Sequence, residues 1–426
     1  MGFEKYLPEL IENNIITREI AQDIVQYFDN KKKLTGNKLI MMFALIGGLL
    51  VGLGIILLIA HNWEYLPKYT KLFFAFLPLL ITQGIGLYAI MRKEPSRIIN
   101  ETISILQLFA VGGSISMIAQ IYQIQGEVYS YFLTWSFASI LTIFLYNSSF
   151  TAILLTLGIT IYAMDYGYWN FPGGEPYYYW LLLAAIFYHF YQKQKVSERG
   201  NFTLILGMVI TLSIATVFGT ISSGNHEFLF WSYLLLFSIF VTASYFDKVT
   251  GKAFSYSLKY VGYFGIITML LTLSHDDLWD VFDLEKYTIS TLYSVNLISI
   301  YILLIAQIFL FIKNTKFDSI KKINYYELMP ILSIPLFIMG IYWDMGAISA
   351  NILVLFLGII TIMYGNREDK LLIMNLGMLI IALLITNRFF DTDMTFLQRG
   401  LSFIAVGIGF FLTNFIIIKR RKKNVQ

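Results

Sequence analysis

The chain has 426 residues, 57% of them hydrophobic and only 14% charged, where a soluble chain carries about a quarter charged residues. That little polar surface cannot cover that much apolar surface, so lipid must solvate most of the chain. The net charge of +4 comes from basic residues scattered over many short segments, which argues against a nucleic-acid-binding face. The lack of cysteine excludes disulfides, thiolate metal sites and cysteine nucleophiles.

Residues 1–38 are polar and helical in pattern. They predict a small cytoplasmic hairpin of two amphipathic helices, 3–13 and 18–30, with Ile20, Ile24, Val25 and Phe28 at helical spacing and Thr17 as N-cap. The hairpin would pack on the inner ends of the protein's own helices or dock another cytoplasmic protein. With no early apolar core, no cleavable signal peptide is expected, and the first span would act as its own insertion signal.

From residue 39 onward about fourteen apolar stretches follow, each near the roughly 20 residues that cross a bilayer. They fall at 39–61, 70–91, 101–122, 130–146, 149–164, 177–192, 201–222, 228–246, 255–273, 289–312, 325–342, 346–364, 370–386 and 397–418. The expected fold is therefore an all-α polytopic membrane bundle. Its organisation would be a 1–38 hairpin, a 39–150 membrane core, a 151–418 further bundle and a basic 419–426 tail.

The segments between spans alternate between basic and acid-rich. With the N-terminus cytoplasmic, the outer segments hold only Lys68, Lys71, Lys286, Arg388 and Arg399 of the 31 Lys and Arg. That bias places both termini in the cytoplasm. It also tests the short spans around Asn147, Ser148 and Ser149: fusing them would invert every later loop, so a hairpin is expected there. Trp63, Tyr65, Trp169 and Tyr177 to Trp180 fit an aromatic belt at the outer interface.

The largest outer loop, 274–288, carries His275, Asp276, Asp277, Asp280, Asp283 and Glu285 beside Leu278, Trp279, Val281, Phe282 and Leu284. This spacing predicts an interfacial helix with a solvated acidic face, and the EF-hand register that a calcium loop needs is missing. His61, His189, His226 and His275 lack ligand spacing, so no metal site is expected.

The acidic residues all fall in loops or at span ends, Glu101, Asp165, Glu327 and Asp344 among them, which disfavours a carboxylate proton relay. Buried polarity is expected instead from amides, Gln83, Gln107, Asn296, Gln307, Asn351, Asn375 and Asn414, chiefly as interhelical hydrogen bonds. Gly48 and Gly52 in the first span make a small-xxx-small step for close helix approach. Pro78, Pro330 and Pro335 predict kinks. No catalytic, nucleotide-binding or metal-binding motif appears, and no cofactor is expected.

Two segments stand out: Ile59-Ala60-His61-Asn62-Trp63-Glu64 continuing through Leu66, Pro67 and Lys71, and Gly112-Gly113-Ser114 through Ala119-Gln120-Ile121-Tyr122-Gln123-Ile124-Gln125-Gly126-Glu127. With Ile15-Ile16-Thr17 before them, they resemble the N-terminal domain of the DUF2157 family of predicted bacterial membrane proteins, over about the first 150 residues. The resemblance implies a multi-pass protein of the bacterial inner membrane. Members are often encoded beside a membrane-anchored GDYXXLXY-type protein, which implies such a partner. His61 stands where the family more often has a small residue.

Both motif segments end on the predicted outer face, so Asn62, Trp63, Glu64, Gln120, Tyr122 and Glu127 form the candidate outer-face site. The competing reading is structural: Trp63 and Tyr122 anchor at the interface while Asn62 and Gln120 cap helix ends. For function, the first expectation is a transporter or exporter of a lipid-linked or amphiphilic envelope compound. The alternative is a non-catalytic membrane scaffold or assembly factor. A membrane-embedded transferase ranks last, because it needs an outer loop with paired catalytic groups, and the one candidate, 274–288, has no basic partner for its acids beyond Lys286.

Overall fold

A computed structural model describes residues 66–91, 96–169, 174–196, 201–221, 226–246, 250–281, 295–314, 325–343 and 345–389, with 20–22, 42–51 and a few further positions between 13 and 57 and between 397 and 411. Among the described residues all regular structure is helical. The α-helices are α1 (Met42–Val51), α2 (Lys68–Met91), α3 (Arg97–Ile121), α4 (Val128–Leu145), α5 (Ser149–Met164), α6 (Tyr177–Val196), α7 (Asn201–Ile221) and α8 (His226–Ala243). They continue as α9 (Lys252–Thr272), α10 (Val295–Asn314), α11 (Met329–Trp343), α12 (Gly346–Arg367) and α13 (Leu371–Phe389).

Six of the described helices are long and apolar enough to cross a membrane: α2, α3, α4, α5 with the turn that follows it, α7 and α12. Shorter apolar helices include α1, α13 and most of α8 and α10. The chain is a helical membrane protein. Large apolar side chains such as Leu80, Leu87, Phe264, Phe309 and Leu372 point outward, which only a lipid solvent tolerates in such numbers.

The chain forms two compact units, residues 1–165 with 177–190, and residues 166–176 with 191–426. In the first unit α2 packs on α3, and α3, α4 and α5 pack on one another. The turn between α4 and α5 is only three residues long, with Asn147 in the left-handed conformation at φ 52°. Asparagine tolerates that conformation better than most side chains. The expected hairpin at Asn147 to Ser149 is present, and α5 runs on into a π-helical turn, Asp165–Trp169.

The second unit is built around α8 and α9, which pack on each other, with α10 and α11 against α8 and α7 and α12 against α9. Helices α12 and α13 form a hairpin. Pro78 lies inside α2 and Pro335 inside α11. A short 3-10 helix, Asp276–Val281, follows α9; Trp279 is buried and donates its Nε1 hydrogen to Leu273 O at 2.8 Å, while Asp276 and Asp277 stay exposed. The described part of the acid-rich loop is thus amphipathic but wound as 3-10.

The N-terminal hairpin lies largely outside the described residues. Thr17 does behave as an N-cap, its Oγ1 accepting the Ile20 N–H at 3.4 Å and its carbonyl accepting from Ala21 at 3.0 Å.

Candidate functional site

Asn62, Trp63 and Glu64 lie outside the described residues. Gln120, Tyr122 and Glu127 are exposed; Gln120 is in the last turn of α3, and Tyr122 and Glu127 bound the connection from α3 to α4. Tyr122 is the C-cap of α3, with its N–H directed at the carbonyls of Gln120 and Ile118. Glu127 is the N-cap of α4, yet its side chain accepts no capping hydrogen bond.

The acid that serves α4 comes from elsewhere. Asp165, at the end of α5, places Oδ2 2.8 Å from the Tyr129 N–H in the first turn of α4. A carboxylate there satisfies a donor that the helix cannot, and it complements the positive end of the helix. Asp165 is 9% exposed, so this span-end acid is a buried structural group.

Glu101 does the same at the other end of α5. It is 1% exposed; Oε1 accepts the Ser149 N–H at 3.1 Å and Oε2 accepts the Phe150 N–H at 3.2 Å, together with the Ser148 hydroxyl. Ser148 Oγ in turn accepts the Thr151 N–H at 3.1 Å, and Thr151 donates to Ser104 Oγ at 2.8 Å. Both carboxylates are therefore engaged in holding helix starts, which leaves their oxygens poorly placed to relay protons.

Between these two polar ends, α3, α4 and α5 enclose a partly open apolar cleft of about 150 Å³. It is lined by Leu108, Phe109, Phe132, Trp135, Leu154 and Gly158, with Ser136 as its polar member. The aromatic residues around it spend their polar tips on the backbone of α3. Trp135 Nε1 donates to Leu108 O at 2.8 Å and the Tyr131 hydroxyl to Gly112 O at 3.1 Å. The Trp135 ring lines the cleft, 5.8 Å from Phe132 and 6.3 Å from Phe109.

Gly112 is what lets the indole sit that close, because a Cβ there would fall 2.6 Å from Trp135 Cε2. At Gly158 the situation is different: a Cβ would meet Ser136 Oγ at an ordinary 3.6 Å. Leu157, 47% exposed, lies at the rim. The lining of the cleft is aromatic and aliphatic apart from Ser136, and no amide side chain is part of it. Its only signal in the sequence is the Tyr131, Phe132, Trp135 spacing along α4 and the glycine pair at 112 and 113.

In the second unit polarity is concentrated on Gln307. Its Nε2 lies 3.0 Å from Ser238 Oγ, 3.1 Å from Thr242 Oγ1 and 3.0 Å from Glu327 O, so the expected interhelical amide bonding holds at this position. Toward the other end of α9, Asn387 donates to Leu271 O at 3.1 Å and to Ser274 Oγ at 3.0 Å, and its Oδ1 lies 2.8 Å from His275 Nε2. Among the described residues, no group of three or more His, Asp or Glu side chains is placed to hold a metal ion.

No curated protein and no solved structure matches the chain. A family model described as "Predicted membrane protein (DUF2157)" matches residues 8–159, a stretch that contains α1 to α4, most of α5 and nearly the whole lining of the cleft. Over residues 8–159, well under half of its length, the chain is similar to this family of predicted membrane proteins.

Proposed function

We propose that the protein handles an amphiphilic or lipid-linked envelope compound, as a transporter or exporter in the bacterial inner membrane, and seats part of the compound's apolar tail in the α3–α4–α5 cleft. The observation that carries this reading is the cleft itself: about 150 Å³, ring-lined, and with the Trp135 and Tyr131 donors already used. An apolar cleft of this size has room for a ring or a few methylene groups and offers water few partners. It suits a segment of an acyl or isoprenoid chain. The positive-inside pattern supports both termini being cytoplasmic.

The test is photolabelling in nanodiscs with a lipid bearing a diazirine in its tail, followed by peptide mapping. The expected label falls on residues 108–109 and 132–135 and is lost in Gly158→Leu, which fills the cleft. Labelling of these residues no stronger than that of the outward face of α2, or unchanged by Gly158→Leu, refutes the reading. Substrate-dependent movement in sealed vesicles, abolished by the same substitution, would establish transport.

One observation favours the scaffold reading. Gln83 and Gly84 are exposed within the 24-residue α2, and a Cβ at Gly84 would meet nothing within 4 Å. An outward amide beside an open glycine suits a helix of a partner such as a GDYXXLXY-type membrane protein. Stoichiometric copurification in mild detergent, lost in Gln83→Leu, is its expected outcome.

A further inference from the structure

Ser136 sits halfway along the 18-residue α4, about 12 Å of helix from its start, and lines the cleft between α3, α4 and α5. It is only 2% exposed, and a Cβ at Gly158 on α5 would lie 3.6 Å from its Oγ, so the hydroxyl faces α5 across the cleft. Among the described residues nothing hydrogen-bonds to it.

The hydroxyls around it behave otherwise. Thr134 donates to Ser130 O at 2.8 Å, Thr142 to Ser139 O at 2.7 Å and, on α5, Thr156 to Ala152 O at 2.7 Å, each turning back on its own helix. Trp135 also lines the cleft, but its Nε1 hydrogen is already given to Leu108 O. One turn along the same face as Ser136, the wholly buried Ser139 keeps its Oγ without a partner too. The cleft wall thus combines rings and aliphatic groups with one unspent hydroxyl.

A buried hydroxyl without a partner is destabilising, and a lipid surrounding supplies it no water. A water molecule inside the cleft would need two or more polar partners, and Ser136 is the single polar side chain of the lining left to serve it. Halfway along a membrane helix the desolvation cost excludes a charged or phosphorylated group, and the ester level of the lipids lies nearer the interface. The partner that fits is an uncharged oxygen carried into the membrane on an apolar body.

We propose that the compound seated in the cleft carries such an oxygen, a hydroxyl or carbonyl within its apolar part, and that Ser136 hydrogen-bonds it and makes the site prefer an oxygenated occupant over plain hydrocarbon. The proposal rests on the reading of the cleft as a tail seat and narrows the compounds that the seat takes. The oxygen belongs to a hydroxylated acyl chain or to a neutral carbonyl-bearing ring of the quinone kind, for which about 150 Å³ and the Phe109, Phe132 and Trp135 rings leave room.

The experiment is competition against the tail-diazirine lipid on the full-length protein in nanodiscs. The competitors come in matched pairs: phosphatidylcholine with mid-chain-hydroxylated or plain stearoyl chains, and decylbenzoquinone or decylbenzene. Label at residues 132–135 should fall about fivefold more with the oxygenated member of one pair than with its plain twin, and the pair that responds identifies the source of the oxygen. Ser136→Ala should erase that difference without lowering the melting midpoint, because no bond within the protein is lost. Thr134→Ala, on the exposed face of α4, should keep it. Equal competition within both pairs, or a difference that survives Ser136→Ala, overturns the proposal, and the tail seat stands so long as Gly158→Leu still removes the label. Absence of label from 132–135 overturns both.

Discussion

Glu101 on α3 accepts the backbone N–H of Ser149 at 3.1 Å, so a side chain of one membrane helix closes the start of another. Phe150 adds a second donor at 3.2 Å, and the group is cut off from solvent. In lipid an unpaired helix start has no water to turn to, so the carboxylate ties α5 to α3 more firmly than an exposed cap would. Glu101→Ala should lower stability by about 1–3 kcal/mol, and Ser148→Ala by about 1 kcal/mol. Glu101→Gln, which keeps the shape, should fall between Glu101→Ala and wild type. Thermal unfolding in detergent measures all three, and an unaltered midpoint for Glu101→Ala would show that the carboxylate is dispensable.

Asp165 repeats the device at the far end of α5, with its oxygen on the Tyr129 N–H. The two acids are separated by the 16-residue α5, about 24 Å of helix. Groups that far apart with no shared partner contribute independently. The double variant Glu101→Ala/Asp165→Ala should therefore lose the sum of the two single losses to within about 0.5 kcal/mol. A clear departure from additivity would mean that α5 shifts as a body when either end is released.

The alternation of charge along the chain anticipated the Asn147 hairpin, because parity constrains a turn even where the spans beside it are short. The bounds of the apolar stretches also placed Glu101 and Asp165 at span ends. Those bounds could not say that the two acids are buried, since that depends on Ser149 and Tyr129, and the Ser149 partner is 48 residues along the chain from Glu101. For the outer-face site, Gln120, Tyr122 and Glu127 lie at or beside the α3–α4 connection, while Asn62 to Glu64 lie outside the described residues. The cleft left only the Tyr131, Phe132, Trp135 spacing and the glycine pair at 112 and 113 as its mark in the sequence, because it arises from three helices and from the bonding of aromatic tips to the carbonyls of Leu108 and Gly112.

Glycine positions divide by what lies over them. A Cβ at Gly262 would fall 2.8 Å from Phe237 O and 3.1 Å from Val241 N, so α8 and α9 touch through backbone there. Gly377 is similar, 2.7 Å from Gly358 O on the neighbouring helix. Backbone cannot step aside as a side chain can, and Gly262→Ala or Gly377→Ala should each cost about 1–3 kcal/mol by forcing two helices apart. Gly84→Ala should cost nothing and even stabilise α2 slightly, since no atom opposes it and alanine favours the helix. Melting midpoints of the three variants check the ordering, and equal values would contradict the close approach of α8 and α9.

Gln307 separates the value of a polar contact from the value of filled space. Its amide touches Ser238 and Thr242, yet each hydroxyl has a second outlet: Ser238 donates to Glu327 O at 2.9 Å and Thr242 to Ser238 O at 3.0 Å. Removing the amide while keeping the bulk leaves these groups satisfied, so Gln307→Leu should cost less than about 1.5 kcal/mol. Gln307→Ala leaves a hole among α8, α10 and the 325–328 turn and should cost about 2–4 kcal/mol. The gap between the two variants, read from thermal unfolding, tests whether α10 is held by packing or by hydrogen bonds. A Gln307→Leu loss as large as that of Gln307→Ala would assign the hold to the amide, and would make Gln307 a specificity element that pins α10 against α8.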